Sequence, residues 1–281
     1  MARSHVWTRN IKTLIAGAAV WAGVITSSAA QAAEYPIWKE VQDRGVLRCG
    51  AAVAAPYVMR DVVSGEYSGF FVELCRNFGE KVLNVKVEFV DTNWDNLVAG
   101  IQSKKWDLGM ALNQTPQRAL AVAFSTSAMD YQISFVTNVK NSKVSELGYK
   151  LADYDKKDIT MAVLSGTAAD KAITAAVKNA KILRLPGMDE TRLALMSNRA
   201  DVLVDASDSN HLFALSNEKW AVEVFPEPML AKQGVSFGMN RDVSYQDKAV
   251  LDIYLSEQRD TGVVQKLIDD ATRSQIPNTE K

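Results

Sequence analysis

The feature that most constrains this chain is a strand–helix alternation that runs twice, with an extended run after each pass. Residues 38–44 read as a short amphipathic helix stopped by Gly45, and 46–52 as an apolar strand. The spacing predicts a helix over 69–83, with Phe71, Leu74, Phe78 and Val82 on one face, and another over 94–103 with Leu97, Val98 and Ile101 inward. Between them, 85–90 alternates strictly as a half-buried strand, and 108–112 follows as a short, wholly apolar one. A strand over 131–138 then enters a polar stretch, 140–158, read as a surface loop with some helix. The second pass has strands at 159–164, 182–185, 202–204 and 222–225 and helices at 167–178, 188–198 and 209–216. A third extended run, 234–239, precedes helices over 245–259 and 262–273. Strands separated by helices pair in parallel, because a crossover needs the length a helix supplies. Two α/β units joined by two extended runs make a hinge more natural than a flexible tether.

Composition removes several classes of function. At 281 residues the chain has the length of two domains of ~100–200 residues each. Lys and Arg number 32 against 33 Asp and Glu, so the basic footprint of a nucleic-acid binder is missing. Two cysteines and two histidines are too few for zinc fingers or His-rich metal centres, and no metal or cofactor is expected. The phosphate-binding Gly-x-x-x-x-Gly-Lys-Ser/Thr, the dinucleotide Gly-x-Gly-x-x-Gly and the nucleophile elbow Gly-x-Ser-x-Gly are all absent. His211 stands alone between Asn210 and Leu212, so no enzyme activity is expected, although a carboxylate such as Asp205 retains the capacity of a base.

Residues 1–32 read as a secretory signal peptide. Arg3, Arg9 and Lys12 make a positive start, 13–25 is an apolar run, and Ala30-Gln31-Ala32 places small residues at the cleavage positions. The run is 13 residues, short of the ~20 that span a bilayer. Cleavage after Ala32 removes 32 residues and three basic charges, taking 281 residues to 249 and the net charge from −1 to −4. No cysteine lies at the cleavage point to carry a lipid. A periplasmic location follows, where Cys49 and Cys75 meet an oxidising environment. They form either a disulfide, closing a 26-residue loop for ~3.5 kcal/mol, or two buried thiols.

Three places suit a charged small molecule. Arg118 follows the strand 108–112, on a turn that Thr115 caps and Pro116 starts, where open α/β sheets bind ligands. Its guanidinium there is either a fork for a carboxylate or a surface charge. Ser165-Gly166-Thr167 leads from a strand end into a helix start, which serves as an anion site, as an ordinary cap at Thr167, or as both. Asp205, just past 202–204, is either an acceptor for a cationic group or a solvated loop carboxylate.

In order and spacing, Gly69-Phe70-Phe71-Val72-Glu73-Leu74, Trp94-Asp95-Asn96-Leu97, Lys105-Trp106-Asp107-Leu108, Thr115-Pro116-Gln117-Arg118, Ala123-Phe124-Ser125, Ser165-Gly166-Thr167 and Arg199-Ala200-Asp201 resemble the family 3 extracytoplasmic solute-binding proteins. These are polar amino-acid receptors of ABC importers. The resemblance covers residues 38–273. It implies an α/β, two-lobed type II periplasmic binding protein with a two-strand hinge and the ligand between the lobes. Residues 33–137 and 233–281 would form lobe 1, and 138–232 lobe 2.

By the same motifs, Arg118 would bind the α-carboxylate of an amino acid or related compound, assisted by Asn113, Thr167 and the N–H of Ala168. Ala111 and Asp205 would meet the amino group, and Trp94 would wall the side chain. Cys49 and Cys75 match a disulfide carried by a subgroup of these receptors. The implied partners are a small carboxylate-bearing ligand and an inner-membrane ABC permease, with the receptor a monomer.

Three departures stand out. Residues 50–56, Gly-Ala-Ala-Val-Ala-Ala-Pro, lack the usual ligand-facing aromatic, which suggests room for a bulkier solute. Ala168 replaces a common threonine. Asp205 and Asp208 lie four and seven residues after Asp201, either side of the usual five, leaving both as candidate ammonium acceptors. The rival readings are an enzyme similar to cyclohexadienyl dehydratase, whose expected glutamate is missing from the Ser165-Gly166-Thr167 segment, and a sensory or accessory binding protein.

Overall fold

A computed structural model describes residues 36–275. The expected signal peptide lies outside the described residues. The first pass of the chain runs α1 (Ile37–Arg44), β1 (Val46–Ala52), the two-strand hairpin β2 (Met59–Arg60) and β3 (Tyr67–Ser68), α2 (Phe70–Asn77), β4 (Lys86–Thr92), α3 (Leu97–Gln102), β5 (Leu108–Asn113), α4 (Pro116–Ala119), β6 (Ala123–Phe124) and β7 (Met129–Asn138). The second runs α5 (Leu151–Tyr154), β8 (Thr160–Leu164), α6 (Ala168–Ala176), β9 (Lys181–Leu185), α7 (Met188–Met196), β10 (Val202–Ala206), α8 (Ser207–Leu215) and β11 (Ala221–Val224). The chain then returns through β12 (Lys232–Met239) to α9 (Tyr245–Asp260) and α10 (Val263–Gln275).

The expected parallel pairings form. β1 lies parallel between β4 and β5 in the first half, and β8 lies parallel between β10 and β9 in the second. Every residue of β5 is buried, as a strand covered by helices on both faces requires. The edge strand β4 is only half-buried, which explains the strict alternation of its sequence. β7 and β12 join the halves. Met129–Gln132 of β7 pairs antiparallel with β12, while Ile133–Asn138 pairs with β10 and β11. β12 in turn leaves β7 to pair with β5 and β6. These two crossing strands make the connection between lobes.

Two acidic residues of the family motifs turn out to brace the lobes. Asp107 accepts hydrogen bonds from the Arg48 backbone N–H at 2.9 Å and from the guanidinium groups of Arg44 and Arg48 at 2.5 and 2.8 Å. Asp201 does the same in the other half, accepting from the Thr160 N–H at 2.9 Å and Asn141 Nδ2 at 2.8 Å. Each carboxylate ties the entry of one strand to its parallel neighbour.

The helix expected over 69–83 starts at Phe70, after Gly69, and its last turn, Phe78–Val82, is wound as a π-helix. The helix expected from Trp94 starts only at Leu97, because residues 94–96 form a turn. The β2–β3 hairpin and β6 were not legible in the sequence, being two residues per strand. Cys49 of β1 and Cys75 of α2 are joined by a disulfide and fully buried. Replacing both with alanine is therefore expected to cost ~3 kcal/mol, read as an earlier urea midpoint with an unchanged fold by circular dichroism.

Candidate ligand-binding site

The carboxyl ends of the parallel strands of both halves converge on one cavity. The first half contributes Ala54, Tyr57, Trp94, Ala111, Asn113 and Tyr131, and the second Leu164, Thr167, Asp205, Ala206 and Ser209, with Val235 from the crossing strand β12. Of the seven expected site residues, five line this space: Asn113, Ala111, Trp94, Thr167 and Asp205. Arg118 stands behind them, 4% exposed, and Ala168 is the buried first residue of α6.

Arg118 is placed by the local structure the sequence anticipated. Thr115 Oγ1 accepts the Arg118 N–H at 3.2 Å, and Pro116 starts the single turn of α4. The guanidinium donates to the Asn113 carbonyl at 3.4 Å and, across the cleft, to the Gly166 carbonyl at 3.2 Å. No acidic side chain pairs with it among the described residues. Burial pulls its pKa down, and the guanidinium stays charged. Beside it, Asn113 is 5% exposed and its Nδ2 finds no acceptor. A buried cation without a counter-charge next to a buried donor without a partner is costly unless a ligand supplies the acceptors. Ala111 holds φ at +56°, a strained value for a residue with a side chain.

Opposite lies Asp205, whose carboxylate accepts from the adjacent Ala206 N–H at 2.7 Å. Burial pushes its pKa up to about 6, against the opposing pull of that N–H and of the Arg192 charge. Asp208 is differently placed: Tyr57 Oη donates to Asp208 Oδ2 at 2.9 Å, and Asp208 does not line the cavity. Asp205 is thus the carboxylate that faces the free space.

Seven residues of the wall were not among the expected site residues, Tyr57, Tyr131 and Ser209 foremost. The stretch 50–56 ends in a cis Ala55–Pro56 bond, and the next residue, Tyr57, turns its ring into the cleft. The aromatic missing from 50–56 is therefore supplied one residue later, and Tyr131 adds a second ring, so the wall is not the small one expected. Gly69 makes this possible. It sits at φ +108°, where a Cβ would lie 2.6 Å from the Tyr57 carbonyl. That close approach lets the N–H groups of Phe70 and Phe71 bond the carbonyls of Pro56 and Tyr57 at 3.3 and 3.1 Å. Ser209 donates to the Ala55 carbonyl at 2.5 Å, and Ala54 lies beside it. Tyr131 is the third residue of β7, and the pattern of that strand gave no hint that its ring, within electrostatic reach of Arg118, Asp205 and Asp208, lines the cavity.

The halves are in contact over the cavity. Besides Tyr57–Asp208, Ser209–Ala55 and Arg118–Gly166, Ser165 Oγ donates to Asp95 Oδ2 at 3.1 Å. Gly166, at φ +75°, has only 2.4 Å between an added Cβ and Asp95 Oδ1, so glycine is what admits this approach. Trp94 is held by a 3.2 Å hydrogen bond from its indole N–H to the Val53 carbonyl. His211 does not line the cavity and pairs with Glu223 at 3.1 Å.

Comparison with known proteins matches residues 47–270 to the bacterial extracellular solute-binding proteins, family 3. The chain belongs to this family. A probable amino-acid ABC transporter-binding protein of Haemophilus influenzae is 40% identical over 73 residues, 26% of this chain and 28% of that protein. The L-cystine-binding protein TcyA of Bacillus subtilis is 25% identical over 193 residues, 68% of this chain and 69% of that one. This chain thus spans about a quarter of one curated relative and about two thirds of the other. Among solved structures, an ancestral amino acid-binding protein, described as a precursor of cyclohexadienyl dehydratase, has a TM-score of 0.73 at 27% identity, covering 85% of this chain and all of the other. The two-lobed fold is that of these binding proteins. Among the described residues no helix is long and apolar enough to cross a membrane.

Proposed function

We propose that this protein is a periplasmic receptor that captures an amino acid or related carboxylate between its lobes and delivers it to an inner-membrane ABC permease. The observation that carries this reading is a pair of opposite charges on the two sides of one cavity, neither with a hydrogen-bonded counter-ion among the described residues. Among the described residues Arg118, just behind one wall, has no acidic partner, and Asp205, in the opposite wall, has no cation within hydrogen-bond reach. A zwitterion answers both. Its carboxylate would take the Arg118 fork, displacing the Gly166 carbonyl, with Asn113 Nδ2, Thr167 and the Ala168 N–H completing the shell. Its ammonium would meet Asp205 rather than Asp208, which Tyr57 already engages, and the carbonyl of the strained Ala111. Trp94, Tyr57 and Tyr131 would pack on the rest.

In this reading residues 138–232 move as one body against the remainder, bending β7 and β12, and the contacts over the cavity mark the closed form that docks as a monomer. Export would follow from the leader at 1–32. A preformed site of this kind supports micromolar binding, roughly −8 kcal/mol.

A thermal-shift screen with L-amino acids tests the assignment, since ligand at a hundred times its Kd adds ~2.7 kcal/mol of stability. At least one α-amino acid is expected to raise the melting temperature by several degrees. No shift with any of them would sink the receptor reading. A carboxyl titrating near 6 also suits proton transfer, so the same protein should be incubated with prephenate and arogenate, both of which are expected to remain intact.

A further inference from the structure

We propose that the cleft continues past Trp94 into a second chamber where Arg192 receives a distal carboxylate, so that the preferred ligand is an amino acid with a second acid group. This rests on the reading above and names the substrate class of the same site. The chamber has a volume of ≈ 300 Å³. It lies between Val53, Thr92 and Trp94 of one half and Pro186, Met188 and Arg192 of the other. Trp94 is common to both spaces, and Ala54 of the first cavity lies between Val53 and Ala55 of the second. In this proposal a side chain leaving the first cavity would run along the Trp94 ring into the chamber.

Four charged residues line it: Arg60, Asp189, Glu190 and Arg192. Three have local employment. Arg60 donates to the Gly65 carbonyl and to Asp91 Oδ2 at 3.4 and 3.3 Å, and its guanidinium lies 5.4 Å from the Tyr67 ring centre. Asp189 and Glu190 occupy the first turn of α7, where carboxylates face the positive helix end. Glu190 folds back over Gly187, where an added Cβ would fall 2.0 Å from Glu190 Oε2.

Arg192 differs. Its guanidinium lies 5.5 Å from the Phe213 ring centre, and its Nη2 is buried with no hydrogen-bond partner among the described residues. The charges of Asp205 and Asp189 act on it, yet neither makes a hydrogen bond with it. The chamber wall thus holds one guanidinium whose buried Nη2 lacks an acceptor. A carboxylate satisfies it, whereas a side-chain ammonium would bring a second cation to a desolvated guanidinium.

The test is isothermal titration of the wild type, Arg192→Ala and Arg192→Lys with glutamate, 2-aminoadipate, cystine, norvaline and lysine. At least one of the first three, each with a second carboxylate, is expected to bind the wild type about tenfold or more tighter than norvaline and lysine. Arg192→Ala should lose that factor for the diacids while norvaline changes little. Arg192→Lys, which keeps the charge without the fork, should fall between them and guards against a folding defect in the alanine variant. Diacids binding no better than norvaline, a preference for lysine, or diacid affinity unchanged in Arg192→Ala would each overturn the chamber's role while leaving the receptor reading intact. Absence of binding by all five to the wild type, with no amino acid shifting its melting temperature, would overturn both.

Discussion

Replacing Arg118 with alanine is expected to weaken binding of the cognate amino acid by at least a hundredfold, to beyond detection in titration calorimetry for a micromolar ligand. The ligand carboxylate would remain buried with its principal counter-charge gone, a loss of ~3–5 kcal/mol. The unliganded protein should respond differently. In it the guanidinium is buried against two carbonyls and no anion, so its removal takes away a desolvated charge as well as two long hydrogen bonds. The free variant should therefore melt within a few degrees of the wild type. Arg118→Lys keeps a point charge but loses the planar fork, and is expected to recover only part of the affinity. A variant that binds normally would remove Arg118 from the site.

Asp205→Asn is expected to move stability and binding in opposite directions. The Asp205 carboxyl is raised from 3.8 to about 6, chiefly by burial. The folded, unliganded protein therefore binds a proton more readily than the unfolded chain between these two values. Stability falls as pH rises from about 4 to 6, and above 6 the desolvated carboxylate costs a constant amount, on the order of 2–3 kcal/mol for a shift of this size. Asparagine removes that cost, so the free variant should melt several degrees higher than the wild type at pH 7.5, with the advantage vanishing below pH 4. Its affinity for an α-amino acid should fall about a hundredfold, because the ammonium loses its carboxylate. For the wild type, affinity is fully present above pH 6 and declines as the pH falls through 6. Melting curves of the free protein and titrations at pH 5, 6 and 7.5 read both effects. A variant destabilised at neutral pH would show that Asp205 is satisfied within the fold.

Much of the architecture follows from periodicity. The fully apolar run at β5 could only be a covered strand, and the 3.6-residue spacing of Phe71, Leu74 and Phe78 made a helix that buries one side. The turn carrying Arg118 was legible because its cap and its proline act locally, within four residues. Elements too short to show a period were not legible, namely the β2–β3 hairpin and β6, nor was the turn that delays α3 past Trp94.

The sequence by itself determined the α/β class, the two passes and the crossing strands, and it offered Arg118, Thr167 and Asp205 at strand ends as candidates for a site. Only the tertiary structure decided which groups meet. Tyr57 enters the cleft because α2 starts against its carbonyl at Gly69, residues far from Arg118 in the chain. Asp205 rather than Asp208 faces the cavity because Tyr57 from the other half takes Asp208. Nothing in the local pattern distinguishes an employed charge from an unanswered one. That distinction depends on partners brought together across the chain, and burial turns a missing partner from a neutral fact into a free-energy cost that a ligand can relieve.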